Sequence, residues 1–242
     1  MNVLRPVGTF LFLLICPIVL PQAATAPPHH PAPEISSHSQ STSTQEIWSQ
    51  LMAGNRRFVE GKPHGRQIQS LRSSLAKSQH PLAIVLACSD SRVAPELIFD
   101  QDLGQLFVVR SAGNIADAIG VGSIEYAVEH LGSTVLVVLG HTKCGAVSAA
   151  CSGERMPTSN LQAIVDQIDP AVAAAKNSGA KEDALVEAAI IANVHRSAQQ
   201  VLARSDLLRH FIEKGQLTVL EAEYQLDTGE VVRLDTATSQ HK

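Results

Sequence analysis

The sequence predicts an α/β fold with a central, mostly parallel β-sheet flanked by helices. Three short runs, Leu82 to Ala87, Leu106 to Val109 and Thr134 to Leu139, are almost wholly apolar, and Leu217 to Glu223 is a fourth candidate strand. Runs that are apolar throughout, rather than at alternate positions, suit strands buried on both faces of a parallel sheet. Between them lie segments with helical spacing, Val121 to Leu131 and Asp183 to Ala203, the second with a stripe through Leu185, Ala188, Ala189, Ala192 and Val194. Strand alternating with helix argues for right-handed crossovers between parallel strands.

In chain order, the first segment is not part of that fold. Arg5 precedes an apolar stretch from Val7 to Leu20, and Ala24-Thr25-Ala26 follows, so residues 1–26 read as a secretory signal peptide. The apolar stretch contains Pro17 and falls short of the ~20 residues that a membrane-spanning helix needs. The mature protein is therefore expected to be periplasmic or secreted, without stable membrane insertion. Residues 27–44, rich in Pro, Ser, Thr and His, read as a disordered linker in which His29, His30 and His38 are incidental. Residues 45–242 remain for one folded domain, enough for a substantial core. It should open with amphipathic helices over Gln45 to Glu60, anchored by Trp48, and Gln67 to Lys77, ahead of the sheet.

Charge and cysteine usage narrow the function. The 19 basic and 23 acidic residues give a net charge of −4 with no basic run, which argues against a nucleic-acid partner. Beyond the signal segment only Cys88, Cys144 and Cys151 remain, an odd number where structural bridges would use pairs.

Two of these cysteines lie where ligands bind in open α/β sheets, at the carboxyl ends of strands. The first run leads into Cys88-Ser89-Asp90-Ser91-Arg92, and the third into Gly140-His141-Thr142-Lys143-Cys144 with a helix opening at Gly145. His141 and Cys144, at i and i+3, share a face if that turn is helical, and Cys88 joins them from the neighbouring strand. Cys, His and Cys form a three-ligand zinc set that keeps a fourth position open. The helix start near Cys144 should favour its thiolate. Asp90 and Arg92 follow Cys88 at i+2 and i+4, so in an extended segment all three point the same way. Arg92 can then grip Asp90 through paired hydrogen bonds and aim its carboxylate at the metal. Released, Asp90 could instead take the fourth position and close the site. Cys151 reads as a small core residue and His195 as a structural histidine on a long helix.

"CSDSRV" at Cys88 to Val93 and "GHTKCGAV" at Gly140 to Val147 resemble the motifs of the β-class carbonic anhydrases. The resemblance extends from about Ile47 to Leu234, through "RSAGN" at Arg110 to Asn114, "SIEYAVEHLG" at Ser123 to Gly132 and "AEYQLDTGEV" at Ala222 to Val231. It implies a β-carbonic anhydrase-like fold and one Zn²⁺ per chain, held by Cys88, His141 and Cys144. It also implies reversible hydration of CO2 to bicarbonate by zinc-bound hydroxide, with Asp90 and Arg92 as the catalytic dyad. Gln79 matches the family's substrate-binding glutamine, and Phe107, Ala112 and Tyr126 match its apolar pocket. A homodimer with that pocket at its interface, or a dimer of dimers, is implied too. Some relatives bind an inhibitory bicarbonate through a tryptophan where this chain has Val85. Two other functions are compatible with the motifs: hydrolysis of carbonyl sulfide or carbon disulfide at the same site, and zinc binding without catalysis. The second leaves Asp90 and Arg92 without a purpose.

Overall fold

A computed structural model describes residues 42–66, 68–181 and 183–234. The expected signal peptide, and the expected linker as far as residue 41, lie outside these. The first helix, α1 (Thr44–Val59), is fixed at its start by a capping box: the Ser43 hydroxyl accepts the Glu46 N–H at 3.2 Å, and the Glu46 carboxylate accepts the Ser43 N–H at 2.7 Å. Such a cap contributes ~1 kcal/mol. Helix α2 (Ile68–Leu75) follows, then β1 (Ala83–Cys88), α3 (Pro95–Ile98) and β2 (Leu106–Ser111). A single helical turn, Ala112–Asn114, leads to α4 (Ala118–Glu129) and β3 (Val135–His141). The remaining elements are α5 (Gly145–Ser152), α6 (Ser159–Asn177), α7 (Asp183–Arg204), α8 (Asp206–Glu213), β4 (Thr218–Tyr224) and β5 (Val231–Arg233).

The strands form one sheet in the order β2-β1-β3-β4-β5, parallel except for β5. Every residue of β1 and β3 is buried, as apolar runs covered on both faces require. Alternation along β1 divides the core. Ala83, Val85 and Ala87 pack with Ile47, Trp48 and Leu51 of α1, whereas Ile84 and Leu86 pack with Ile124 of α4, Val194 and Val201 of α7 and Leu208 of α8. Each large side chain buried this way contributes about 1.5–3 kcal/mol. A third cluster joins α5, α6 and α7 around Cys88 and Cys144, and Cys151 packs at its margin.

Each of the four expected strands is present. Helix α4 begins three residues before the expected start because Asp117 caps it, accepting the Gly120 N–H at 2.7 Å. The outermost strand differs in character from β1 and β3: β2 is an edge, and its side chains are half-buried apart from exposed Arg110.

Candidate active site

The parallel pairing of β1 with β3 sets Ala87 opposite Leu139, so both strands end together and deliver Cys88 and His141 to the carboxyl end of the sheet. Cys144 caps α5 immediately beyond. The ligand-capable atoms of Cys88, His141 and Cys144 all lie within 4.8 Å of one another, and all three residues are buried.

The turn that brings Cys144 in is not helical. Lys143 takes a left-handed conformation, φ 57°, and Cys144 is extended, so a reversal between the two residues replaces the expected i,i+3 face. The Lys143 side chain pairs with Asp227 at 2.7 Å on the surface. Thr142 is fixed by the turn after β4, donating its N–H to the Tyr224 carbonyl at 3.0 Å and accepting the Leu226 N–H on its hydroxyl at 3.0 Å. Its carbonyl accepts the Nδ1–H of His141 at 2.9 Å. That bond sets the tautomer and leaves Nε2, which is buried without a hydrogen-bond partner, free to donate its lone pair.

The two buried sulfurs compete for one proton. The neighbouring Cys144 thiol, then His141 and the N–H groups of Asp90 and Gly113, outweigh burial and hold Cys88 well below the usual thiol range. Cys144 is pushed up by the Cys88 sulfur and by burial, against the pull of the Val147 and Ala146 N–H groups at the start of α5. The helix terminus thus acts on Cys144 as expected but is outweighed while the two sulfurs share a proton. Burial pulls His141 down, and the Cys88 sulfur more than offsets it, leaving His141 raised. Two sulfurs and an imidazole with an unpartnered, buried Nε2 are the donor set of a soft divalent ion, and zinc fits them.

Beyond Cys88 the chain turns rather than running on extended, with the Val93 N–H donating to the Asp90 carbonyl at 2.9 Å. The turn itself makes the expected Asp90–Arg92 pair: the Arg92 backbone N–H and Nε both reach Oδ1 at 2.9 Å, and Nη2 reaches Oδ2 at 2.7 Å. Arg92 holds the Asp90 carboxyl far below the carboxylate range. Asp90 Oδ2 stands 4.0 Å from His141 Nε2, beside the ligand group but outside it.

Arg110 has a part that spacing did not reveal. Its Nε donates to the Cys88 carbonyl at 3.0 Å and its Nη2 to the Asp90 carbonyl at 2.7 Å, clamping the turn from β2. The only signal was its place at the head of "RSAGN".

The expected pocket residues are not gathered around one cavity in a single chain. Phe107 lines a cavity of 330 Å³ along β2 with Arg110, Ile115 and Ile119. Its ring is 6.3 Å from that of Tyr126, which is 47% exposed. Gln79 lines a different cavity, 620 Å³, with Leu75, Leu103 and Leu106. Ala112 sits half-buried in the turn after β2. The His195 ring meets the carboxylate of Glu221 on β4, which pairs with Val138 and not with His141.

A sequence profile described as carbonic anhydrase matches residues 83–231, which hold Cys88, His141, Cys144, Asp90, Arg92 and Arg110. The chain belongs to the carbonic anhydrase family. It is 39% identical over 198 residues to carbonic anhydrase 2 of Mycobacterium tuberculosis, covering 80% of this chain and 94% of that one. A carbonic anhydrase of Mycolicibacterium smegmatis is 39% identical over 189 residues, 76% of this chain and 90% of the relative. Among solved structures, a tetrameric β-carbonic anhydrase of Sordaria macrospora superposes with a TM-score of 0.64 at 25% identity, over 78% of this chain and 97% of its own. The protein is therefore an enzyme, a carbonic anhydrase of the β class.

Proposed function

We propose that this carbonic anhydrase interconverts CO2 and bicarbonate at a zinc ion held by Cys88, His141 and Cys144, with Asp90 as the residue that orients the nucleophile. The observation that supports this most is the pairing of a three-ligand group with an ionised carboxylate 4.0 Å from the free His141 nitrogen. Zinc bound there would supply a Lewis acid that lowers the pKa of water and makes it nucleophilic. The rest is the work of the chain. Asp90, kept ionised by Arg92, accepts a hydrogen bond from the attacking water and turns a lone pair toward the carbon. Arg110 keeps Asp90 and Cys88 at a fixed separation by holding both carbonyls. Phe107, Ala112 and Tyr126 provide an apolar surface for CO2, and Gln79 a hydrogen-bond donor for its oxygen.

Two copies complete that pocket. The open edge of β2, with Phe107 and the exposed Tyr126 and Ile119 beside it, is a surface for a second chain. Pairing there lets Gln79 of one protomer reach the Phe107 side of its partner, and a dimer of dimers would follow the tetrameric relative. Residues 1–26 direct export and are removed, placing the enzyme in the periplasm or outside the cell; amino-terminal sequencing of the exported protein tests this.

The catalytic assignment is tested by Asp90→Ala. Turnover should fall by 10²-fold or more while zinc stays near one per chain. Unchanged turnover would overturn the role given to Asp90.

A further inference from the structure

We propose that Asn193 is a positioning residue for the metal centre, acting through the backbone of Gly113 on the Cys88 sulfur. Asn193 lies in the middle of α7, 1% exposed, between the buried apolar residues Ala189, Ile190 and Val194. An amide is a poor choice there: it lowers helix propensity and must find partners away from water. Its partners are both in the turn after β2. Nδ2 donates to the Gly113 carbonyl at 2.7 Å and lies 3.5 Å from the Asn114 side-chain oxygen.

Gly113 is left-handed, φ 71°, and its N–H donates to Cys88 Sγ at 3.3 Å. The same residue is thus held at its carbonyl by α7 and aims its amide at the sulfur. A Cβ on it would stand 2.7 Å from Ile168 Cδ1 and 3.3 Å from Ala146 Cβ, so α6 and α5 close the remaining sides. The other N–H on this sulfur, from Asp90 at 3.4 Å, belongs to the turn that also carries Arg92. Asn193 therefore fixes one of the two N–H···S contacts found among the described residues, independently of the catalytic dyad. Hydrogen bonds to a thiolate draw density from the lone pairs it would share with a metal, so Asn193 sets how strongly Cys88 donates.

The inference rests on Cys88 being a metal ligand, as proposed above. Full-length wild-type protein, Asn193→Leu and Asn193→Ser are loaded with Co²⁺, and the sulfur-to-cobalt charge-transfer band and metal affinity by chelator competition are recorded. Leu keeps the branched outline of Asn but carries bulkier methyl groups and no polar atom. Ser is the milder change, since its hydroxyl can bond the carbonyl one turn back and leave the helix intact. Val201→Ala, buried on the same helix but packed against the opposite cluster, supplies a loss of stability without a route to the sulfur. Both Asn193 variants should move the band to lower energy, because Cys88 donates more freely. They should also weaken metal binding about tenfold, because the preset position of the sulfur is lost and that loss outweighs the stronger donation, with Val201→Ala leaving both unchanged. An unmoved band in the Asn193 variants, or an equal shift in Val201→Ala, would overturn the role of Asn193 while leaving the ligand assignment standing. Wild-type protein that takes up no cobalt would overturn the ligand assignment and this inference with it.

Discussion

Arg92 holds both carboxylate oxygens of Asp90, at 2.9 and 2.7 Å, and in doing so parks Oδ2 4.0 Å from His141 Nε2. On the proposed reading, this grip keeps Asp90 an orienting group instead of a metal ligand. Arg92→Ala should lower turnover about 100-fold with zinc retained. Arg92→Lys should recover little, because an ammonium cannot hold two oxygens in a fixed plane. Full activity in the lysine variant, measured by stopped flow, would show that charge alone suffices.

The pH profile follows from the donor set. Two thiolates offset the formal charge of a divalent ion, so water activated here is less acidic than the value of about 7 reached with three neutral histidines. Hydration should climb as pH rises above neutrality. A profile flat from acid to alkaline would contradict a thiolate-rich site.

Asp100 makes stability depend on pH. Its side chain is fully buried, and burial alone would raise its pKa, but hydrogen bonds from His64 and Arg57 outweigh that and hold it at about 2. A lowered carboxyl stabilises the fold above its unfolded value near 4, and that contribution is lost as pH falls through about 2. His64 is raised by the hydrogen bond to Asp100 and then by that to Asp102, so its contribution holds below about 6.5 and disappears as pH climbs through the raised value. Asp100→Asn should cost about 2–3 kcal/mol near pH 6 and flatten the acid limb, as denaturant titration would show. His64→Gln should flatten the alkaline limb and, by withdrawing the imidazole from Asp100, weaken the acid one as well.

Gly54 lies where α1 meets the end of α3, and a Cβ there would stand 1.7 Å from the Phe99 carbonyl oxygen. Backbone cannot yield as a flexible side chain can. Gly54→Ala should therefore destabilise by about 3 kcal/mol, read as a lower denaturant midpoint.

The β2 edge makes a prediction about assembly. Ile119 is 81% exposed beside the Phe107 cavity, and Ile119→Asp should shift sedimentation toward the monomer and lower hydration with it. A monomeric wild-type enzyme with full activity would remove the shared pocket.

Strands β1 and β3 were legible because burial on both faces forces a continuous apolar run. Strand β2 was read short, ending at Val109, because an edge tolerates Arg110 and Ser111. Strand β5 has three residues, too few for a pattern, and pairs only because the turn after β4 returns the chain antiparallel. Helix α6 carries Pro170, which interrupts the usual helical signal, and its packing rather than its propensity holds it. In the site, side chains at informative spacing were visible while backbone contributors were not. Nothing in the spacing of Cys88, His141 and Cys144 reveals that Lys143 reverses the chain, or that Gly113 offers its amide to sulfur. Those depend on dihedral angles and on residues 25 or more positions away.

The most direct test is CO2 hydration by stopped flow on purified protein, with zinc counted on the same sample, before chelation, after it and after zinc is returned. Rapid hydration that is lost with the metal and restored by it, at close to one zinc per chain, is the expected result. One zinc per chain with no hydration at alkaline pH, or hydration that survives removal of the metal, would contradict the account.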